Sequence, residues 1–482
     1  MFNFRLIFRV LGSLLLIEGL FMLLCIPVSL LYGEHEIKSF GLSGAISIFA
    51  GGLMWLVTTG AIKSLQPRDG YIVVTAGWLL FSLFGSLPFI LSGSIPLYTD
   101  AFFETVSGFT TTGASILNDI ESLPHAILFW RSIIQWLGGM GIIVMSLAIL
   151  PLLGIGGMQL FIAEVPGPTP DKLHPRIKET AKRLWGIYII FTFSEMILLL
   201  VGGMDLFDAV CHAFTTMATG GYSTKQLSIA HWDSPYIHYV ITFFMFLAGT
   251  NFTLSYFALH LKFDKLFRNE EFRYYLGFLT GFIILVAIIL SFSENYSREE
   301  SFRYAAFQVV SIITTTGYVT ADYLSWIPLL GIIIFILMFF GGSAGSTGGS
   351  IKILRILLFL KNSGTELKRL IHPSAVIPVR FNQNAVSPEI LNNVFAFISL
   401  YILTVIIGVI IIAAMGYDLD SSFGAVAATL GNIGPGIGAV GPAENYSHLP
   451  AFGKWFLSFL MLIGRLELFT VLILFSPGFW KK

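Results

Sequence analysis

Ten stretches of this chain run for about 20 residues or more with almost no charge, the length an α-helix needs to cross a ~30 Å hydrocarbon core. They cover 10–32, 40–62, 71–92, 126–154, 184–204, 237–261, 275–293, 326–360, 392–415 and 452–476, the eighth interrupted by glycines. The first follows Arg5 and Arg9 as a signal peptide would. Its apolar run is too long for one and no small-residue cleavage site follows, so it reads as a true span. The connections between spans are not uniform. After spans three, five, seven and nine comes a moderately apolar piece too short to cross: DAFFETVSGF, DLFDAVCHAF, ESFRYAAFQVVSI and LDSSFGAVAATL. Each carries an acidic residue at its start or in its first turn, the preference of a helix N-terminus. Each then runs into a Thr/Gly cluster: TTTGAS (Thr110 to Ser115), ATGGYS (Ala218 to Ser223), TTTGYV (Thr314 to Val319) and GNIGPG (Gly431 to Gly436). Their aligned glycines, Gly113, Gly221, Gly317 and Gly434, are 108, 96 and 117 residues apart. A unit of span, short helix, Thr/Gly loop and span is thus predicted four times over about residues 70–476, with the first two spans outside it.

Composition agrees with a polytopic membrane protein. Of 482 residues, 55% are hydrophobic and 12% charged, against about 25% charged in a soluble domain. That excludes an ordinary soluble enzyme, and the zero net charge removes a bulk electrostatic case for nucleic acid. Cys25 and Cys211 are too few for a disulfide framework or a thiolate metal site. With both termini cytoplasmic, the inner segments hold 21 Lys and Arg, while the outer ones hold six: Lys38, Arg131, Lys225, Arg298, Arg303 and Lys454. The bias obeys the positive-inside rule. The outer side carries about nine net negative charges, which would concentrate cations there.

Irregular backbone at membrane depth is tolerated only where it is buried in protein or lines a water-filled cavity. Four such loops are most economically placed facing one another at one pore. Glycine permits torsions that aim successive carbonyls inward, and a ring of carbonyl oxygens can replace the hydration shell of a monovalent cation. Two further features suggest control of such a pore. Span eight holds GGSAGSTGGS with Gly341, Gly342, Gly345, Gly348 and Gly349, and an interior glycine costs a helix about 0.8–1 kcal/mol relative to alanine. The segment is either a close helix-packing seam or a flexible intramembrane loop below the filter. Arg465 stands in the middle of the last span, where a charge must face protein or water. It either pairs with a distant carboxylate such as Glu195 or sets a fixed positive charge in the ion path. Lys352 adds to that charge or snorkels to the inner interface. Glu104, in the first short helix, either braces a filter loop or packs against the second span, and Glu18 and Glu195 are expected to hydrogen-bond between helices.

The four Thr/Gly clusters resemble the filter loops of the Trk/Ktr/HKT superfamily of potassium transporters, and the resemblance covers the whole chain. The two extra N-terminal spans, GGSAGSTGGSIK and the GRLE of the last span are more similar to its TrkH branch than to KtrB. The resemblance implies an all-α membrane fold: ten transmembrane helices with four span–pore helix–span repeats in a pseudo-fourfold array around one pore. The implied divisions are 1–65 (two extra helices), 66–160, 161–270, 271–385 with the Gly-rich gate, and 386–482. It implies K⁺ bound at Thr111, Thr112, Gly113, Thr219, Gly220, Gly221, Thr315, Thr316, Gly317, Asn432, Ile433 and Gly434. It implies a gate of the five span-eight glycines, Lys352 and Arg465. Asn432 and Ile433 stand where threonines would, so the fourth loop departs most. The family resemblance further implies a homodimer in the cell inner membrane and no cofactor in this chain. NAD, ATP or ADP would be carried by a TrkA-like cytosolic subunit, for which segments 156–183 and 361–389 offer basic surface; attraction to membrane lipid is the simpler reading of those charges. The alternatives are a Ktr-like Na⁺-dependent K⁺ transporter and, from a different class, an intramembrane enzyme. The G-x-G-x-x-G match at Gly436 to Gly441 lacks the strand and helix of a nucleotide fold, and no hydrolase motif is present.

Overall fold

The computed structural model describes residues 2–60, 67–139, 141, 177–294 and 296–481. It is helical apart from two two-residue strand pairs. We label the main helices α1 (Phe4–Leu23), α2 (Ile37–Val57), α3 (Pro67–Gly85), α4 (Tyr98–Phe109), α5 (His125–Gly139), α6 (Ile177–Val201), α7 (Leu206–Met217), α8 (Pro235–Ala248), α9 (Phe252–Leu259) and α10 (Glu270–Ser293). They continue as α11 (Arg298–Ile313), α12 (Pro328–Leu337), α13 (Ile353–Ile371), α14 (Pro388–Ala413), α15 (Leu419–Leu430), α16 (Ala451–Arg465) and α17 (Phe469–Leu472). Among the described residues six helical stretches are long and apolar enough to cross a membrane, and two more count if each bent pair is one span. The bends lie between α8 and α9, at 112°, and between α16 and the helix after it, at 111°. Span eight is broken as expected: α12 is short, and irregular chain separates it from α13. The C-terminal half of the fourth expected span, 142–154, lies outside the described residues, as does most of segment 156–183.

The four short pieces are all helices: α4, α7 and α15 of 12 residues and α11 of 16. At 1.5 Å per residue they reach about 18–24 Å, short of a ~30 Å core. Three of the four starts carry a side-chain cap, from Asp205, Ser297 and Asp418, while α4 starts after Leu97 without one. Asp205 accepts from Asp208 N at 2.9 Å, and Ser297 with Glu300 forms a reciprocal capping box on α11. Unlike the long spans they are enclosed: every residue of α4 from Ala101 to Phe109 is buried. In α10, by contrast, only 17% of the most apolar window is buried, which leaves its flank to lipid. The molecule therefore places its most buried helices at the centre and its most apolar ones outside, as a bilayer solvent requires.

The two helices outside the repeat pack on each other, and α1 in turn packs on α3. Their contact depends on glycine. A methyl group on Gly12 would lie 2.7 Å from Gly51 O, and one on Gly51 would lie 2.6 Å from Gly12 O. This is the small-residue seam by which membrane helices approach in van der Waals contact. Of the six basic residues expected outside, Arg131 is corrected by the structure: it lies within α5 and is wholly buried. Gly51→Leu should force α1 and α2 apart and cost about 1–3 kcal/mol, as overpacking does. The measurement is the thermal midpoint of detergent-solubilised protein, and an unchanged midpoint would contradict the close approach.

Candidate functional site: a ring of four helix-terminal loops

The four short helices end in the same turn. The N–H of Thr111 returns to Gly108 O at 3.0 Å and that of Thr112 to Ser107 O at 2.9 Å. Thr219 and Gly220 do the same to Thr216 O and Thr215 O, both at 2.8 Å, and Thr315 and Thr316 to Ile312 O and Ser311 O at 3.0 and 2.8 Å. Asn432 and Ile433 bind Thr429 O and Ala428 O at 3.3 and 2.9 Å. This pair of bonds is the Schellman motif, whose pivot residue is left-handed and usually Gly or Asn. Here the pivots are Thr111, Thr219, Thr315 and Asn432, with φ of 52°, 52°, 58° and 54°. A β-branched residue at positive φ is a genuine outlier, and each such strained backbone costs about 1–3 kcal/mol. Three threonines held this way mark the loops as places where something outweighs local comfort.

Two residues on, Gly113, Gly221, Gly317 and Gly434 also have positive φ, from 75° to 96°. Their lack of a side chain closes a ring. A methyl group on Gly113 would collide with Gly220 O, one on Gly221 with Thr316 O, one on Gly317 with Ile433 O, and one on Gly434 would lie 2.7 Å from Thr112 O. Each loop thus abuts the next in cyclic order, and the fourth returns to the first. All four glycines line one open cavity of about 90 Å³, together with Ser115, Lys225, Gln226, Glu444 and Asn445. Of the twelve residues expected at the filter, the four glycines meet Gly220, Thr316, Ile433 and Thr112 across the ring, and Thr111, Thr219, Thr315 and Asn432 are the left-handed pivots that precede these contacts. Because the four helices present their C-terminal ends to this ring, the partial negative ends of their dipoles favour a cation there. Among the described residues no group of three or more His, Cys, Asp and Glu side chains could hold a metal; the oxygens gathered at the ring are carbonyls and hydroxyls.

The loops are held from behind by side chains, most of which the sequence reading missed. Glu104 braces the first loop, one of its two expected roles: it accepts from Ser115 Oγ at 3.1 Å and Ile116 N at 3.0 Å. Its charge is met by Arg131, 2.9 Å away, in a pair that is wholly buried. Arg131 Nη1 also donates to Ser223 O at 3.2 Å, and the guanidinium lies 4.1 Å over the Tyr222 ring. One turn further along α5, Gln135 donates to Gly220 O at 2.7 Å and accepts from Tyr222 N at 3.1 Å. One face of α5 therefore ties the first loop to the second. Tyr446 donates to Gly434 O at 2.8 Å, and Tyr323 to Gly436 O at 2.7 Å. Asn432 Nδ2 reaches Thr112 Oγ1 at 2.9 Å and Met461 O at 3.0 Å, so the divergent fourth loop is joined to the first by the side chain that makes it divergent.

Beneath the ring lies the Gly-rich segment. A parallel strand pair, β1 (Phe340–Gly341) and β2 (Ile351–Lys352), closes its base. The loop between them docks where α8 breaks: Ser343 N donates to Gly249 O at 2.9 Å, and Thr347 Oγ1 to Ala248 O at 3.1 Å. It also touches the third Thr/Gly loop, through Gly349 N to Thr315 Oγ1 at 2.6 Å. Lys352 Nζ folds back onto Gly348 O and, at 3.3 Å, Ser346 Oγ. Arg465 donates to Thr347 O and Gly138 O, both at 2.6 Å, and to Gly139 O at 2.9 Å. Its guanidinium joins the last span, the Gly-rich loop and the helix after the first pore loop; it does not pair with Glu195. Glu467, at positive φ in the α16 bend, pairs instead with Arg355. Glu18 and Glu195, expected to hydrogen-bond between helices, are wholly buried; Glu195 of α6 faces the Thr216 hydroxyl of α7, whereas the Glu18 carboxylate meets no hydrogen-bond partner among the described residues.

Residues 36–482 match the TrkH family, described as cation transport protein. A Halomonas elongata protein named Trk system potassium uptake protein TrkH is 42% identical over 483 residues, covering 100% of both chains. The protein of that name in Escherichia coli K12 is 42% identical over 484 residues, again covering 100% of both. The crystal structure of the potassium transporter TrkH from Vibrio parahaemolyticus superposes with a TM-score of 0.90 at 38% identity, covering 99% of this chain and 100% of that one.

Removing one partner of a buried ion pair leaves the other uncompensated, at a cost of about 3–5 kcal/mol. Arg131→Met should lower the thermal midpoint sharply, and the joint change Glu104→Gln with Arg131→Met should recover much of it. Equal losses for the single and double variants would show that the pair does not brace the loops.

Proposed function

The chain belongs to the TrkH family of cation transport proteins, and we propose on that footing that it takes up potassium across the inner membrane as the ion-conducting subunit of a Trk system. The observation that carries the reading is the closed ring of four left-handed turns. Potassium arriving from the acidic outer side sheds water into the ring and exchanges it for the carbonyls of Thr111, Thr112, Thr219, Gly220, Thr315, Thr316, Asn432 and Ile433, with those of Gly113, Gly221, Gly317 and Gly434 above. Carbonyl dipoles fixed by helix-terminal hydrogen bonds need no reorganisation when the ion enters. Gln135 occupies one lone pair of Gly220 O and the fourth loop substitutes Asn and Ile for Thr, so the ring's field is not fourfold symmetric.

Below the ring, Gly341, Gly342, Gly345, Gly348 and Gly349 form the gate. Its contacts are small side chains and single hydrogen bonds, so it moves without unpacking a helix. Arg465 acts twice: it ties the loop across the pore to α5, and its charge opposes a cation. Lys352 holds the same loop folded. A TrkA-like cytosolic subunit carrying NAD or ATP would bias this gate from the basic inner face, and a second copy of the chain would complete a homodimer. Support for a Trk rather than a Ktr-like transporter comes from the full-length match to relatives named Trk system potassium uptake proteins.

Arg465→Ala should raise potassium permeation in proteoliposomes, by roughly tenfold for every ~1.4 kcal/mol of barrier removed. Tracer rubidium flux against normal expression is the readout. Reduced flux from normally folded protein would contradict the barrier. Gly345→Ala with Gly348→Ala should stiffen the gate and alter the same flux, since the positive φ of 75° at Gly345 disfavours a side chain; flux equal to wild type would remove the gate from the account.

A further inference from the structure

A second cavity, remote from the ring, opens between α10 and the first half of α13. Its volume is about 770 Å³, in the range of small-molecule sites. Its inner wall is apolar, formed by Phe278, Phe340, Ile353, Ile356 and Leu357, and its mouth carries Arg273 and Lys361. The charges and the apolar wall are separated along the helix axes. Eight residues divide Glu270 from Phe278 and Lys361 from Ile353, about 12 Å at 1.5 Å per residue. One leaflet of a ~30 Å core is about 15 Å deep. The mouth lies at the end of α10 and α13 that the basic-residue bias assigns to the cytoplasm. Lys361 is engaged by Glu270, but among the described residues the exposed guanidinium of Arg273 has no hydrogen-bond or ion-pair partner. Tyr274 stands beside it, 52% exposed. Gly277, with nothing within 4 Å of an added methyl group, leaves the entrance open toward lipid.

We propose that this cavity binds one anionic phospholipid of the inner leaflet, its phosphate on Arg273 and Tyr274 and an acyl chain along Phe278, Ile356 and Leu357. Charge and depth both select that occupant. A zwitterionic lipid brings a second positive charge to a mouth already lined by Arg273 and Lys361, and a soluble anion leaves the apolar wall bare. The occupant would touch Phe340, the first residue of β1, and Ile353, the residue that follows β2, at the strand pair that closes the base of the Gly-rich loop. The lipid would therefore steady both ends of the gate. This consequence rests on the gating role proposed above, whereas the binding itself does not.

The test is native mass spectrometry of the full chain in mild detergent, loaded with phosphatidylglycerol or phosphatidylcholine, followed by rubidium flux in vesicles of matching composition. Wild type should retain phosphatidylglycerol in preference. Arg273→Gln should reduce that retention by roughly five- to tenfold, the worth of one interfacial cation. Gly277→Trp, which fills the entrance and keeps every charge, should reduce retention of both lipids. Wild-type retention in both variants would overturn the site. So would efficient cross-linking of two protomers through Gly277→Cys without retained lipid, which would assign the cavity to a second copy of the chain. Flux that rises or falls with phosphatidylglycerol in wild type but not in Arg273→Gln would support the link to the gate. Selective retention with flux indifferent to lipid would overturn that link alone. Failure of the gate itself is read separately, from the glycine variants, which leave lipid retention unchanged.

Discussion

Backbone that leaves a helix inside a bilayer must find its hydrogen bonds within the protein, and the architecture of this chain follows from meeting that constraint four times in one place. Each pore helix ends by folding its next two N–H groups back onto its own last turn, which satisfies them and turns the chain toward a shared axis. The carbonyls beyond the turn are left without helical donors. They are tolerable only because the four loops wall one another off from lipid and open together into one cavity. The strain at three left-handed threonines is sustained by that mutual enclosure, and no single repeat could hold it alone.

The enclosure is tied unevenly. Arg131 and Gln135, one turn apart on α5, bind the first and second loops, while Asn432 binds the fourth to the first. Tyrosines serve the third and fourth: Tyr318 reaches Thr215 of the second pore helix, and Tyr446 reaches Gly434. On the inner side the same economy recurs. The break after α8 frees Ala248 O and Gly249 O, and the Gly-rich segment fills the gap by donating to them. A broken helix and an irregular loop thus complete each other's hydrogen bonding, and Arg465 fastens the pair to α5.

Much of this was legible in the chain because membrane helices leave a strong hydropathy pattern and their interruptions are conspicuous. The spacing of Gly113, Gly221, Gly317 and Gly434 disclosed the repeat, and the acidic starts of the short helices located their N-termini. The bracing was legible only in part: Glu104 stood out as a candidate brace, but its partner did not. Arg131 lies between two loops in sequence and reads as one more outer charge; only folding brings it to Glu104, 27 positions away. The left-handed pivots ran against local preference, which would choose Gly or Asn over Thr. Among the described residues Arg465 donates to three backbone carbonyls, which carry no residue signature, so the sequence could offer only a carboxylate such as Glu195 or a fixed charge in the ion path. Asn432 marks the fourth loop as the most divergent in sequence, yet it is the residue most at ease in the turn and the one whose side chain spans two loops.

The central claim is that the four carbonyl-bearing loops together hold a dehydrated monovalent cation. Anomalous diffraction from crystals of the protein soaked in rubidium or thallium would test it most directly. The account predicts anomalous density on the axis enclosed by Thr112, Gly220, Thr316 and Ile433 and the glycines that follow them, and loss of that density in sodium-exchanged crystals. Strong anomalous density elsewhere along the pore, with none at the ring, would contradict it.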